Sequence, residues 1–270
     1  MTITSPHLLP RRLYALLLRH VYLHLGSWPR IVEMMYWPLV NLASWGFVSL
    51  YVTKKFAHVE TLGSTFVAGV VMTEMFIRPT STMLMLFIEE MWSRNLGHLF
   101  ASPIRMREYA LGLMGITLLR SAIALTPAII IAKYLFGFSL LGLGWPMAGF
   151  IGILAIDGCL FGLCIVALLL RFGMASEWLA WMATWLLIPF FAPYYPVSVL
   201  PEVFQYVSYA LPPTYVFESM KSLINDGTLQ AENLLIALGL TMLYTALAAT
   251  LLHRAYQSAR QRGGLLQAGE

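Results

Sequence analysis

The sequence predicts an all-α integral membrane protein. Hydrophobic residues make up 59% of the chain and charged residues only 11%, whereas charged residues make up about 25% of an ordinary soluble domain. The apolar residues are gathered in runs long enough to cross a bilayer as helices, which takes about 20 residues per crossing. Because these runs occupy most of the 270 residues, we expect a single transmembrane domain over 1–270 and no soluble catalytic domain.

The first part of the chain predicts an amphipathic helix at 6–28. Leu13, Leu17 and Val21 recur every four residues, and Arg12 and Arg19 share the other side of such a helix. A helix with one apolar and one basic face is suited to lying in the membrane interface. A solvated arm is the alternative.

Six membrane-spanning helices are expected after this segment. They are predicted at 31–52, 62–88, 108–132, 146–170, 178–198 and 233–253. Four of them contain a proline, namely Pro38, Pro79, Pro127 and Pro189. Membrane helices tolerate proline where neighbouring groups satisfy the freed backbone, so these positions predict kinks rather than helix ends.

Lysine and arginine counts orient the spans, because cytoplasmic connections are enriched in both. With the N-terminus in the cytoplasm, the cytoplasmic segments contain eleven arginines, whereas the outer segments contain only Lys54, Lys55, Lys133 and Lys221. We therefore expect both termini in the cytoplasm. The formal charge of +4 lies in these membrane flanks, so we expect the lipid membrane as a partner and no nucleic acid.

The segment before the last span reads "FAPYYPVSVLPEVFQYVSYALPPTYVFESMKSLINDG". It predicts two short helices, at 202–211 and 216–225, separated by Pro212 and Pro213. Ten helical residues extend about 15 Å, which is half of a bilayer. We therefore expect a pair of half-helices that re-enters the membrane from the outer side over 200–227, with other protein covering its ends.

The cytoplasmic connection at 87–108 interrupts the apolar pattern. It reads "FIEEMWSRNLGHLFASPIRMRE" and places Trp92, Leu96, Leu99 and Phe100 beside acids and arginines. Large apolar side chains on an exposed connection indicate contact with another molecule. An ordinary solvated loop is the alternative.

Two stretches, "EEMWSRNLGHLFASPIRMREYALG" and "PVSVLP...LPPTYVFESMK", resemble the membrane permeases of the ABC type-2 exporter family. That family includes exporters of drugs, lipo-oligosaccharides and polysaccharides. The matching positions are Glu89, Glu90, Leu99, Ser102, Pro103, Glu108, Gly112, Pro196, Leu200, Pro201, Pro212, Tyr215 and Glu218. The resemblance covers nearly the whole chain. It departs from the family pattern at 95–98 and at Lys221, which leaves the subfamily and the substrate open.

The resemblance implies a permease subunit that forms a translocation path as a homodimer or with a close paralogue. It also implies a cytoplasmic ABC ATPase subunit that holds ATP and Mg, and a place in a bacterial inner (plasma) membrane. The chain has no G-x-x-x-x-G-K-[ST] loop for phosphates, so we expect it to bind no cofactor and to be no enzyme. The implied cargo is an amphipathic drug-like molecule or a lipid, or alternatively a lipid-linked oligo- or polysaccharide. An integral-membrane transferase is the alternative of another class.

The resemblance further assigns roles to residues at both membrane surfaces. An ATPase-coupling helix is expected at 89–105, and its contact residues are Glu89, Glu90, Trp92, Arg94, Leu96, Leu99 and Phe100. An outer gate is expected near the half-helices, formed by Tyr194, Tyr195, Pro196, Tyr215 and Glu218.

Four ionisable residues inside the spans, Glu74, Arg78, Arg120 and Asp157, are candidates either for buried ion pairs or for the translocation path, because charge at membrane depth is costly. Glu74 and Arg78 are one helical turn apart and can pair locally, and Arg120 is a candidate partner of Asp157.

Glycine and cysteine spacings complete the sequence-based expectations. Gly158 and Gly162 form a pair of small residues, four apart, that permits close helix approach. Cys159 and Cys164 lie on different faces of one helix, which excludes a local metal site and a disulfide. The histidines show no metal-ligand spacing, so no metal site is expected.

Overall fold

The computed structural model describes residues 12, 14–19, 22, 28–55, 60–102 and 104–262. Every regular element within these ranges is helical, as the sequence predicts. Of the interfacial helix expected at 6–28, residues 12, 14–19 and 22 are described and are helical. Residues 6–11, 13, 20, 21 and 23–27 lie outside the described residues. In chain order the described α-helices are α1 (Trp28–Lys55), α2 (Glu60–Trp92), α3 (Leu96–Ala101), α4 (Met106–Phe136), α5 (Trp145–Phe172), α6 (Glu177–Leu186), α7 (Glu202–Tyr209), α8 (Pro212–Asn225) and α9 (Ala231–Gln261).

Three of the described helices are long and apolar enough to cross a membrane, namely α4, α5 and α9. They coincide with the third, fourth and sixth expected spans. Helices α1 and α2 coincide with the first two and contain 28 and 33 residues. At 1.5 Å per residue these helices are about 42 and 50 Å long, more than the hydrocarbon core of about 30 Å.

The fifth expected span, at 178–198, is not one continuous helix. Helix α6 ends at Leu186, and a 3₁₀ turn at Ile188–Phe191 follows it. Pro189 has no N–H to donate and disfavours helical backbone in the residue before it. Ala192 then adopts a left-handed conformation with a φ of 49°. The chain therefore leaves the helical path earlier than the apolar pattern predicts.

Two short helices precede the last span, as expected, but with a different boundary. Pro212 and Pro213 begin α8 instead of separating it from α7. Proline fits this place because the first turn of a helix needs no N–H donors. Helix α8 packs against α2, α5 and α9, so other parts of the chain cover it.

Helices α2 and α5 form the centre of the bundle. Helix α2 packs against α1, α4, α5 and α8, while α5 packs mainly against α2 and α9. The close approach of α2 and α5 uses the predicted glycine pair: a Cβ at Gly158 would lie 2.4 Å from the Phe76 carbonyl oxygen, and one at Gly162 would lie 3.0 Å from the Met83 side chain. The Thr80 hydroxyl also donates a hydrogen bond to the Gly158 carbonyl over 2.9 Å.

The core has two apolar clusters, one at each end of the bundle. One includes Phe87, Leu99 and Tyr109 and lies where α3 connects α2 to α4; we call this the loop end. The other includes Phe191 and Phe217 and lies beside α7 and α8; we call this the half-helix end.

Candidate functional site

A tight turn at the loop end fixes the connection between α2 and α4. Arg94 has a left-handed backbone with a φ of 52°. The Asn95 amide donates to the Glu90 carboxylate over 2.6 Å, and the Asn95 backbone N–H donates to the Glu90 carbonyl over 3.0 Å. Helix α3 starts directly after this turn, so its direction is set by contacts within the chain.

Two buried carboxylates join this connection to the helical N-terminal residues. Arg19 forms an ion pair with Glu90 at 2.8 Å, and Arg12 forms one with Glu108 at 3.1 Å. Glu108 also accepts the Arg105 backbone N–H over 3.0 Å and so caps the start of α4. The connection is therefore held at both of its ends, because both carboxylate side chains are only 5% exposed.

The apolar residues of the expected coupling helix divide into two groups. Leu96 and Leu99 are buried in the chain's own core, 1% and 7% exposed. Phe100 lies between two rings of the same chain, with centroid distances of 5.7 Å to Tyr109 and 4.9 Å to Tyr256. The expectation that Leu96 and Leu99 fill a groove of an ATPase is therefore wrong: they attach α3 to the membrane helices instead.

Several other side chains face outward at the loop end, and three of them are large or basic. Trp92 is 59% exposed, and Arg94 and His98 of the same connection are exposed as well. We call these three residues the loop surface. Glu89 is only partly exposed. An exposed tryptophan beside an arginine is typical of the residues that anchor protein–protein interfaces.

The expected pair inside α2 is present. The Arg78 Nε lies 2.7 Å from Glu74 Oε2. The other carboxylate oxygen of Glu74 accepts a hydrogen bond from the Asn41 amide on α1 over 2.6 Å. Both oxygens thus have partners, which is the arrangement that makes a buried charge tolerable. The sequence did not indicate Asn41.

Asp157 has a different partner from the one expected. Thr241 on α9 donates a hydrogen bond to Asp157 Oδ1 over 2.8 Å. A hydrogen bond therefore joins α5 to α9 at this depth. Sequence reasoning missed Thr241 because a threonine in an apolar span is common and usually bonds to its own helix.

Two of the residues expected at the outer gate, Tyr195 and Glu218, contact Lys221. Lys221 Nζ donates to the carbonyls of Ala192 and Tyr195 over 3.0 and 2.7 Å, and to Glu218 over 2.8 Å. Glu218 also accepts the Val197 backbone N–H over 3.3 Å. The cluster attaches α8 to the irregular segment that contains Pro196.

The three gate tyrosines take separate places. Tyr194 stacks between Trp45 and Phe66, with centroid distances of 5.7 and 5.4 Å. The Tyr195 hydroxyl donates to the Pro189 carbonyl over 2.6 Å, and the Tyr215 hydroxyl donates to a carbonyl at the end of α7. Only Tyr195 therefore contacts the Lys221 cluster, through its backbone.

The described residues contain no group of three or more His, Cys, Asp and Glu side chains that could hold a metal ion. Cys159 and Cys164 are free thiols. A helical bundle in which three helices are long and apolar enough to cross a membrane has the features of an integral membrane protein.

Comparison with known protein families agrees with this class. The family model described as ABC-2 type transporter matches residues 13–225, which is most of the chain. The chain therefore belongs to the ABC-2 type transporter family, and it is a membrane permease component of an ABC transporter. A comparison with curated proteins gave no match.

Proposed function

We propose that this chain is the permease subunit of an ATP-driven exporter in a bacterial inner membrane. Helices α1, α2, α4, α5 and α9 make five crossings, and α6 with the turns after it makes another. Both termini and the loop end lie in the cytoplasm, and the pair α7–α8 re-enters from the outer side. This orientation is inferred from the excess of arginines at the loop end and at the C-terminus, because cytoplasmic segments are enriched in lysine and arginine.

The observation that carries the proposal is the construction of the loop end. A segment that transmits force must be firmly attached to the membrane helices and must also present a surface to the motor. Two ion pairs and the buried Leu96 and Leu99 provide the attachment. The exposed loop surface provides a contact for a cytoplasmic ATPase subunit, on which ATP and Mg are bound.

The translocation path is proposed to form between two permease chains, either two copies or this chain and a close paralogue. Several helices present large apolar side chains outward, among them Met242 and Leu243 of α9, which are 72% and 63% exposed. Lipid or a second permease would cover such residues. The proposed cargo is an amphipathic drug-like molecule or a lipid, and a lipid-linked oligo- or polysaccharide is the second candidate.

The coupling role is tested by shortening the exposed tryptophan. Trp92→Ala should weaken binding of the ATPase about 30-fold, since interface anchors typically lose about 2 kcal/mol or more on truncation. Copurification of the ATPase with tagged permease, and cargo-stimulated ATP hydrolysis, are the measurements. Trp145→Ala is the matched control, because Trp145 is 77% exposed but begins α5 on the other side of the proposed topology. A Trp92 variant that retains its ATPase and exports normally would contradict the coupling role.

The topology is tested by cysteine labelling in intact cells. Single cysteines at Gln205 and Asp226 should react with an impermeant thiol reagent, as should one at Lys54. Cysteines at His98 and Gln257 should react only after the membrane is opened. Labelling of position 257 from outside would exclude the six-span arrangement and leave the family membership unaffected.

A further inference from the structure

A cavity of about 220 Å³ lies inside the chain, between α2, α5, α9 and the start of α8, and its accessible wall is almost entirely apolar. Asp157 is the one charged residue among the described residues that line it. The Asp157 carboxylate adds no open polar surface, since Oδ1 accepts the Thr241 hydroxyl and Oδ2 is buried. The Tyr244 hydroxyl at the wall donates to the Ala210 carbonyl over 3.1 Å. The cavity therefore offers a ligand almost no polar contact.

The cavity reaches the outside of the bundle beside α9. Leu247 of α9 lines it and is 45% exposed, and Leu243, one turn earlier, is 63% exposed. Leu187, which also lines the cavity, follows Leu186 at the end of α6, and Leu186 is 65% exposed. These side chains are apolar, as the tails of a lipid are, so the opening is matched to the interior of a bilayer.

The opening lies at the middle of a membrane-spanning helix. Helix α9 is long and apolar enough to cross a membrane, and Tyr244 and Leu247 flank its central residue, Ala246. When this helix is centred in a bilayer, they lie near the midplane, about 15 Å from the headgroups on either side. At that depth a phospholipid contributes only the ends of its acyl chains.

We propose that the cavity binds the end of an acyl chain of a bilayer lipid, which enters past Leu247 and lies against Phe76 and Phe161. An engineered apolar cavity of about 150 Å³ stays dry and binds benzene, so this cavity has room for about eight carbon atoms. A small neutral apolar molecule has the same chemistry, but lipid tails surround the opening at a far higher concentration, which favours them by mass action. The site uses one chain and no ATPase. It therefore goes beyond the proposed export function, and its failure would leave that function unaffected.

Photolabelling in a bilayer tests this occupancy. The full chain is reconstituted in phosphatidylcholine vesicles that contain a phosphatidylcholine with a diazirine at the end of one acyl chain, then irradiated and analysed by peptide mass spectrometry. Leu160 and Leu163 of α5 form a matched pair, because they are 4% and 5% exposed and, of the two, only Leu160 lines the cavity. Labelling at Leu160 should exceed labelling at Leu163 about tenfold, since a close-packed interior has no room for a chain at Leu163.

A second photolabel separates the two sources of hydrocarbon. The molecule 3-trifluoromethyl-3-phenyldiazirine is small, neutral and free in the bilayer. If it labels Leu160 and the lipid does not, the cavity takes free molecules and the acyl-chain proposal is overturned. Equal labelling of Leu160 and Leu163 by the lipid would also overturn it. Preferential labelling of Leu160 by the lipid supports the proposal whether or not the free molecule reacts there too.

The variant Cys164→Phe adds an aromatic ring to the cavity wall and should lower lipid labelling of Leu160 to the level at Leu163. Met242→Phe is the control, because Met242 is 72% exposed and lies outside the cavity, and it should keep the full labelling of Leu160. Lipid labelling of Leu160 that persists in Cys164→Phe would contradict entry through the cavity. If this variant does not fold, the comparison of Leu160 with Leu163 in the unmodified protein decides the question.

Discussion

The contact between α2 and α5 gives a prediction about Gly158 whose size follows from one distance. A Cβ added at this position would lie 2.4 Å from the Phe76 carbonyl oxygen and 3.2 Å from Pro79 Cβ. Carbon and oxygen atoms approach to about 3.3 Å in favourable contacts, so alanine is about 0.9 Å too close. The opposing atom belongs to the backbone of α2 and cannot rotate away. The two helices must therefore separate along this contact.

Overpacking of this kind typically costs about 1–3 kcal/mol, and the backbone contact favours the upper part of that range. Alanine also favours the helical state by up to about 1 kcal/mol relative to glycine. Gly152 on the same helix isolates the steric effect, because a Cβ there meets nothing within 4 Å. Gly158→Ala should therefore be less stable than Gly152→Ala by about 1–3 kcal/mol.

Tryptophan fluorescence during thermal or denaturant unfolding in detergent measures this difference, since the chain contains eight tryptophans. The comparison with Gly152→Ala removes the common effect of helix propensity. If the two variants unfold together, the helices either adjust without cost or do not meet at Gly158. The reasoning from the 2.4 Å distance would then be refuted.

Substitutions at three further buried contacts are tested by the same unfolding measurement. Glu74→Gln or Arg78→Met alone should lower stability by about 3–5 kcal/mol, because each leaves a buried charge unpaired, and the double variant should lower it much less; equal losses in all three would argue against a pair. Leu99→Ala should cost about 2–5 kcal/mol as a core truncation, whereas an exposed Leu99 would lose almost nothing. Lys221→Met should cost about 1–3 kcal/mol by leaving buried carbonyls without their donor, and an unchanged midpoint would show that water replaces the ammonium group there.

Features that depend on neighbouring residues along the chain were predictable from the sequence. The spacing of Glu74 and Arg78 fixes their distance once the segment is helical, and the structure shows the pair. The same holds for Gly158 and Gly162, which share one face of α5. Helix periodicity alone determines such relations, so they need no knowledge of the tertiary fold.

Contacts between distant segments were not predictable, because they depend on how the helices pack. Arg12 and Glu108 are 96 positions apart, and Thr241 and Asp157 are 84 apart.

The apolar residues of α3 give a similar lesson. A large apolar side chain on a connection can face a partner or its own core, and the pattern is the same for both. Leu99 is buried in the chain's own core, whereas the Trp92 side chain is exposed.

Helix α2 runs from the loop end to an apolar cavity of about 220 Å³, which its residue Phe76 lines together with residues of α5 and α9. Glu90 near its C-terminus is held by Arg19, and Phe76, 14 positions earlier, forms part of the cavity wall. At 1.5 Å per residue these positions are about 21 Å apart along the same helix, which contains Pro79 between them. A displacement at the loop surface would therefore move the wall that contains Phe76 relative to α5. The Gly158 contact allows little freedom to absorb that movement, because a backbone carbonyl of α2 lies directly against α5 there. If movement of the proposed coupling segment passes through this contact, a substitution at Gly158 that separates α2 from α5 should weaken transport as well as lower stability.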